Sequence, residues 1–209
     1  MNIIVLGPPG SGKGTHSKTL SKYFKAPVYG AGELLRKAAK KDKKIRRILD
    51  LGKLVPAKIV DSLIKKKVKA AKKGVIIEGY PREANRLMLL KKYFKPDIVV
   101  FLNISPKEAA RRLGGRRICE HCGKVYHLVY KKPNKYGICD VCGGRLIRRH
   151  DETPQAIKQR ISIFQKETTP VIRWYKKQRL VLEINGNNKS IKEVSKELIT
   201  KLKIWKKSQ

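Results

Sequence analysis

Gly7-Pro8-Pro9-Gly10-Ser11-Gly12-Lys13-Gly14-Thr15 is the stretch on which the fold turns. Residues 2–6 before it form a short apolar run, which predicts a buried strand. Residues 13–24 after it predict a helix. A glycine loop between strand and helix is the context that a phosphate cradle requires. Glycines let successive backbone N–H groups turn inward around a β-phosphate. The helix N-terminus adds partial positive charge. Lys13 is spaced to bridge β- and γ-phosphates. Gly14 separates it from Thr15, the nearest hydroxyl, although a hydroxyl usually follows the lysine directly. Gly10, Ser11, Gly12, Lys13, Gly14 and Thr15 are therefore the candidate triphosphate contacts.

Outward from this loop, strands alternate with helices. Further strands are predicted at 27–29, 75–77, 98–102 and 180–184. Helices are predicted at 32–40, 43–51, 57–72, 83–94, 106–113, 153–166, from Pro170, and at 191–204. Pro56 stands at the start of the third of these, where a missing N–H does no harm. Such alternation implies a parallel sheet covered on both faces. The fold class expected is α/β, a three-layer P-loop NTPase fold. Residues 116–150 interrupt it with cysteines, glycines, tyrosines and short β-like pieces, so an inserted subdomain is expected there.

The chain has 209 residues, 41% of them hydrophobic, enough for a real core. Against 16 acidic residues stand 51 Lys and Arg, a formal net charge of +35. A field this positive gathers anionic ligands, with nucleotides, nucleic acid and acidic membranes as candidates. The plainer account is a solvated lysine face. The basic residues are spread along the chain without interleaved aromatics, which argues against a primary nucleic-acid role. No signal-like leader precedes the first strand, and the apolar runs are too short to span a bilayer, so a cytoplasmic chain without a membrane partner is expected. The C-terminal helix with Trp205 suits core or interface. Monomer and homo-oligomer, a trimer included, both stay open.

Cys119-x-x-Cys122 and Cys139-x-x-Cys142 stand sixteen residues apart, with Gly123 and Gly143 just after each pair. Two such pairs match a tetrahedral four-cysteine zinc site. With four thiolates no position stays open for water, so the zinc would be structural. Two disulfides or a thiolate-bound iron are the alternatives. His121 is read as a solvated loop residue, and His127 as packing near the nucleotide path.

The sequence resembles the adenylate kinase family, within the nucleoside monophosphate kinases. Gly-x-Pro-Gly-x-Gly-Lys-Gly-Thr is that family's form of the loop. Gly30-Ala31-Gly32-Glu33-Leu34-Leu35-Arg36 and Gly52-Lys53-Leu54-Val55-Pro56 look like its acceptor-binding segments. Glu78-Gly79-Tyr80-Pro81-Arg82 looks like its Asp-Gly-Phe-Pro-Arg motif. Arg112 to Arg117 with Val125-Tyr126-His127, then Arg149-His150-Asp151-Glu152 and Arg160, look like the two sides of its lid. The resemblance implies a core of 1–29, 73–114 and 152–209, a helical NMP-binding domain of 30–72, and a zinc-knuckle β lid of 115–151. It implies ATP plus AMP giving two ADP with Mg2+. Lys13, Arg82, Arg116, Arg149 and Arg160 would be catalytic. Arg112, Arg116, Val125 and Tyr126 would join the loop in holding ATP. Ala31, Arg36, Lys53, Leu54, Val55, Gly79, Arg82, Asn85, Arg149 and Arg160 would hold the monophosphate, and Asp151 would pair with lid arginines. Arginines suit this chemistry on physical grounds too, because phosphoryl transfer needs fixed cations around the equatorial oxygens.

Three departures stand out. Ala31 replaces a threonine that lies against the acceptor base. The glutamine four residues beyond Pro-Arg, which reads the adenine edge, is missing, and Asn85 is its candidate substitute. Glu78 replaces the aspartate near the magnesium waters. Losing two polar readers should relax base selectivity. The rivals are a UMP/CMP- or GMP-preferring kinase and, from another class, a zinc-containing nucleic-acid-binding protein.

Overall fold

The computed structural model describes residues 1–71 and 73–207. In chain order the core opens with β1 (Ile3–Leu6), α1 (Lys13–Phe24) and β2 (Val28–Gly30). The helices α2 (Ala31–Ala39), α3 (Lys43–Asp50) and α4 (Ala57–Lys69) follow, then β3 (Ile76–Glu78), α5 (Ala84–Lys91), β4 (Ile98–Asn103) and α6 (Pro106–Gly114). The short strands β5 (Arg116–Cys119), β6 (Val125–His127) and β7 (Leu146–Ile147) come next. The chain closes with α7 (Pro154–Ile163), α8 (Thr169–Lys177), β8 (Val181–Asn185) and α9 (Ile191–Lys207). The end at residue 72 expected for the third insert helix lies outside the described residues, as do Ser208 and Gln209.

Five strands form a parallel sheet in the order β2-β3-β1-β4-β8. Side chains alternate along each strand, so each strand feeds two cores. Ile3, Val5, Ile98 and Val100 face Leu20 of α1 and Val194, Leu198 and Leu202 of α9. Ile4, Leu6, Val99 and Phe101 join the opposite cluster with Leu87 and Leu90 of α5 and Val171, Ile172 and Tyr175 of α8. That makes three layers, as the alternation of elements implied. The same cluster takes in Leu35, Ile45, Val60 and Ile64, so α2, α3 and α4 are anchored to the sheet. The small antiparallel sheet, in the order β6-β5-β7, stands apart from it.

Two elements differ from expectation. The gap foreseen before Pro170 is instead a five-residue π-helical segment, Phe164–Thr168, joining α7 to α8. Pro170 has no N–H to continue an α-helical ladder, and Thr169 Oγ1 donates to the Phe164 carbonyl at 3.3 Å. This wider turn also delivers Thr168 Oγ1 to the Arg82 carbonyl at 3.1 Å. β3 sits one residue later than predicted, which puts Glu78 at its C-terminal end.

The carboxyl ends of β1, β2 and β3 all open on one side of the sheet, where open α/β sheets bind ligands. A half-buried crossbar fixes the insert to that side. Asp61 of α4 accepts hydrogen bonds from Tyr80 Oη at 2.9 Å and Tyr93 Oη at 2.7 Å. Tyr80 is fully buried beside the cis Tyr80–Pro81 peptide. Burial, reinforced by Asp61, pushes both phenols up, so they remain donors. Asp61→Ala strands two hydroxyls and is expected to lower unfolding free energy by about 2 kcal/mol. Urea denaturation measures this, and an unchanged midpoint would contradict the crossbar.

Candidate active site

The phosphate loop is shaped by backbone that only glycine adopts easily. Gly10 has φ of +83°, and a Cβ there would meet the Ala109 carbonyl oxygen at 2.9 Å. Lys13 Nζ lies across the loop and donates to the Gly7 carbonyl at 2.9 Å and the Pro8 carbonyl at 2.8 Å. Ser11 is buried, and its Oγ has no partner among the described residues. It is thus an unspent donor inside the loop. His16, one turn into α1, contacts Ser195 Oγ through Nδ1 at 3.1 Å. Burial pushes its imidazole down to about 4, so it is neutral at physiological pH.

Around this loop the fold gathers cations. Burial pulls the Lys13 ammonium down to about 7; Glu78 opposes this, and Arg82, Arg160 and Arg116 reinforce it. Burial likewise pulls Arg82 to about 10, with Arg160 adding to it, and lowers Arg116 and Arg36. Arg149 falls to about 10 through burial and its neighbour Arg36. Arginines crowded together this way are uncomfortable until anions arrive. Three of them converge on Glu152, which is fully buried. Arg116 pairs with it directly, Arg149 lies at 3.7 Å and Arg160 at 3.8 Å. Asp151, the residue expected to pair with lid arginines, lies 3.6 Å from Arg160. Its neighbour Glu152, given no role from sequence, ties more of them.

Glu78 faces the loop from the end of β3. A Cβ on Gly30 would meet its Oε2 at 2.7 Å, and one on Gly14 would meet it at 3.9 Å. Only glycine at position 30 leaves room for this carboxylate. Among the described residues no cation lies within 4.0 Å of Glu78. A carboxylate beside the phosphate loop without a cation of its own fits a magnesium ion that keeps most of its waters.

Two cavities open on this part of the structure, and residues of the loop line the second. One is lined by Ala31, Arg36, Lys53, Leu54, Val55, Gly79, Arg82 and Arg160, eight of the ten residues expected to hold the monophosphate; Arg149 does not line it. The other is lined by Gly10, Gly12, Thr15, Arg112, Arg116, Val125 and Tyr126, all expected to hold the triphosphate, and by His127 and Tyr130, while Ser11, Lys13 and Gly14 do not line it. Arg112 is anchored there by Glu108 at 2.7 Å and the Gly186 carbonyl at 2.6 Å. Asn85 does not fit its expected role. It is exposed on α5 and does not line the acceptor-side cavity, whereas Arg86, one residue on, is 3% exposed and does. The helical turn decides this, because position 85 points outward where position 86 points in. Buried Arg86 and buried Glu152 share one obstacle to being found from sequence, since each stands beside a more familiar candidate.

In the small sheet, the Sγ atoms of Cys119, Cys122, Cys139 and Cys142 all lie within 4.8 Å of one another. Cys119 and Cys142 are 3.4 Å apart, Cys122 and Cys139 3.6 Å. A disulfide needs about 2.05 Å, and all four are free thiols. Tetrahedral metal–sulfur bonds of about 2.3 Å place sulfurs about 3.8 Å apart, so the cluster fits such an ion. Each pair sits in a matching turn. Gly123 N donates to the Cys119 carbonyl at 3.0 Å, and Gly143 N to the Cys139 carbonyl at 2.9 Å. Tyr126 is buried with its hydroxyl 3.4 Å from Cys139 Sγ, so one residue joins the cluster to the cavity. His121 is exposed, as expected.

A family model described as adenylate kinase matches residues 5–180. An adenylate kinase of Thermococcus onnurineus is 36% identical over 203 residues, covering 93% of this chain and 90% of that protein. One from Treponema denticola is 38% identical, covering 92% and 95%. One from Staphylococcus aureus is 35% identical, covering 95% and 97%.

The depressed Lys13 gives a pH signature. Above pH 7 the free ammonium is largely deprotonated, and bound phosphates raise its pKa again. Binding therefore takes up a proton, and affinity falls as pH rises beyond 7. At pH 8.5, where ATP has lost its own last proton, calorimetry in buffers of different ionisation enthalpy should register uptake approaching one proton per ATP. Zero uptake, or net release, would contradict the assignment.

Proposed function

We infer the activity from kinship and site together: the chain belongs to the adenylate kinase family. It is a nucleoside monophosphate kinase, a phosphotransferase with a phosphate group as acceptor. The reaction we assign is ATP plus AMP giving two ADP, with relaxed discrimination of the acceptor base. The observation that carries this is a phosphate loop that lines one cavity, with a second cavity whose Arg82 and Arg160 belong to the same cation cluster as Lys13 and Arg116. A single triphosphate would need one cavity. Two cavities sharing one cation cluster suit a donor and an acceptor held end to end.

In this reading Lys13 and the loop amides hold the β- and γ-phosphates. Arg36 and Arg82 hold the acceptor phosphate. Arg116, Arg149 and Arg160 surround the transferring group, whose charge spreads over three oxygens. An acceptor phosphate oxygen attacks the γ-phosphorus in line as its bond to the β-phosphate oxygen breaks. No protein group needs to form a bond. The clustered arginines are already oriented, so little reorganisation is left for the moment of transfer. Magnesium would neutralise phosphate charge, with Glu78 as the residue near its waters. Residues 30–72 form the NMP-binding domain and 115–151 the lid, on a core of 1–29, 73–114 and 152–209.

Zinc at the four cysteines would be structural. The lid's own buried cluster is only Cys119, Tyr126 and Cys139, with Leu146 packed against it. So few apolar side chains cannot order a subdomain, and a metal cross-link replaces the missing core. A reducing cytoplasm suits four free thiols. No helix among the described residues is long and apolar enough to cross a membrane.

Lys13→Ala is expected to lower ATP-dependent ADP formation from AMP by at least about a hundredfold with folding intact. RNA binding that survives this change and ignores nucleotides would favour the nucleic-acid reading instead. Elemental analysis should find one zinc per chain. Cys142→Ser should release it and expose the lid to limited proteolysis while the core resists. A metal-free wild-type chain with a protected lid would refute the zinc site.

A further inference from the structure

Arg86 lines the acceptor-side cavity. Its side chain is 3% exposed and lines the cavity with Leu35, Leu49, Val55 and Val60. Its Nε pairs with Glu83, and its Nη2 donates to the Val55 carbonyl. The group is thus fixed between α5 and the loop before α4, and Nη1 is left over. Arg36, Arg82 and Arg160 line the same cavity but belong to the cluster around Lys13, which serves phosphates. The walls with it include apolar Leu35, Leu49, Val55 and Val60, so Arg86, with Lys53 and Asp151, is one of three polar side chains outside that cluster that a base could meet. Ala31 offers no polar contact.

A guanidinium only donates hydrogen bonds. The 6-amino group of adenine also only donates there, so the two facing each other would leave buried donors unpaired. The Val55 carbonyl would have to accept from such an amino group alongside Arg86, which already donates to it. A 6-oxopurine instead presents O6, an acceptor, where adenine carries its amino group, so the remaining Nη1 can donate to it.

We propose that Arg86 reads the acceptor base and makes 6-oxopurine nucleoside monophosphates, GMP and IMP, working acceptors of this enzyme alongside AMP. This rests on the reading of the chain as a nucleoside monophosphate kinase. The step is the same transfer. A phosphate oxygen of GMP bonds to the γ-phosphorus of ATP, the bond to the β-phosphate oxygen breaks, and GDP and ADP result.

The test is kcat/KM with ATP for AMP, GMP, IMP and 2-aminopurine ribonucleoside monophosphate, which lacks O6, on the wild type and on Arg86→Gln. GMP and IMP should fall within tenfold of AMP. The 2-aminopurine analogue should fall at least tenfold below GMP. Arg86→Gln should shift the GMP-to-AMP ratio toward AMP at least tenfold. GMP a thousandfold below AMP, no penalty for losing O6, or an equal change of both acceptors in the variant would each overturn the proposal. Equal loss would mark Arg86 as a tie between α5 and Val55 alone. The O6 comparison needs no variant, so a misfolded Arg86→Gln protein does not protect the idea. Transfer to no monophosphate at all would overturn the parent reading instead.

Discussion

The structure is organised around one electrostatic problem, the crowding of like charges beside the phosphate loop. Burial strips Lys13, Arg36, Arg82, Arg116 and Arg149 of water and lowers their affinity for protons, and the charge of Arg160 adds to the effect on each. Glu152, Asp151 and Glu78 supply the nearby negative charge. Three carboxylates cannot neutralise six cations. The surplus is what draws phosphates in, and the carboxylates hold the arginines in position beforehand. The wider net charge of +35 extends the same field outward and speeds capture of anions.

The scaffold answers that problem through topology. β1 lies between β3 and β4, so the loop after it opens where neighbouring connections diverge. α2, α3 and α4 bring Arg36 from one side while sharing the sheet's core. The small sheet brings Arg116 from the other, with a buried cluster of Cys119, Tyr126 and Cys139 and four cysteine sulfurs gathered together. Glu152 sits where these parts meet and restrains arginines from β5, from the segment before α7, and from α7 itself.

Much of this was legible in the sequence because the signals were local. The glycine loop stands between an apolar run and a helix, and the cysteine spacing announces paired turns. Most of the loop and cavity residues are found where their motifs put them. What escaped depends on three-dimensional neighbours. Arg86 and Asn85 cannot be told apart without knowing which face of α5 turns inward. Glu152 gained its role only from the convergence of distant arginines. Asp61 meets Tyr80 and Tyr93 across nineteen and thirty-two residues, a separation no local pattern encodes. The π-helical segment arises from Pro170 acting inside a packed helix, where the sequence alone suggested a break.

The central claim is that one cation cluster serves two nucleotides at once. The most direct measurement is calorimetric binding of a molecule in which two adenosines are joined by five phosphates. One molecule should bind per chain, at least about a hundredfold tighter than ATP or AMP alone, because linking the two removes the cost of assembling them. Binding no tighter than ATP, or two molecules per chain, would contradict the account.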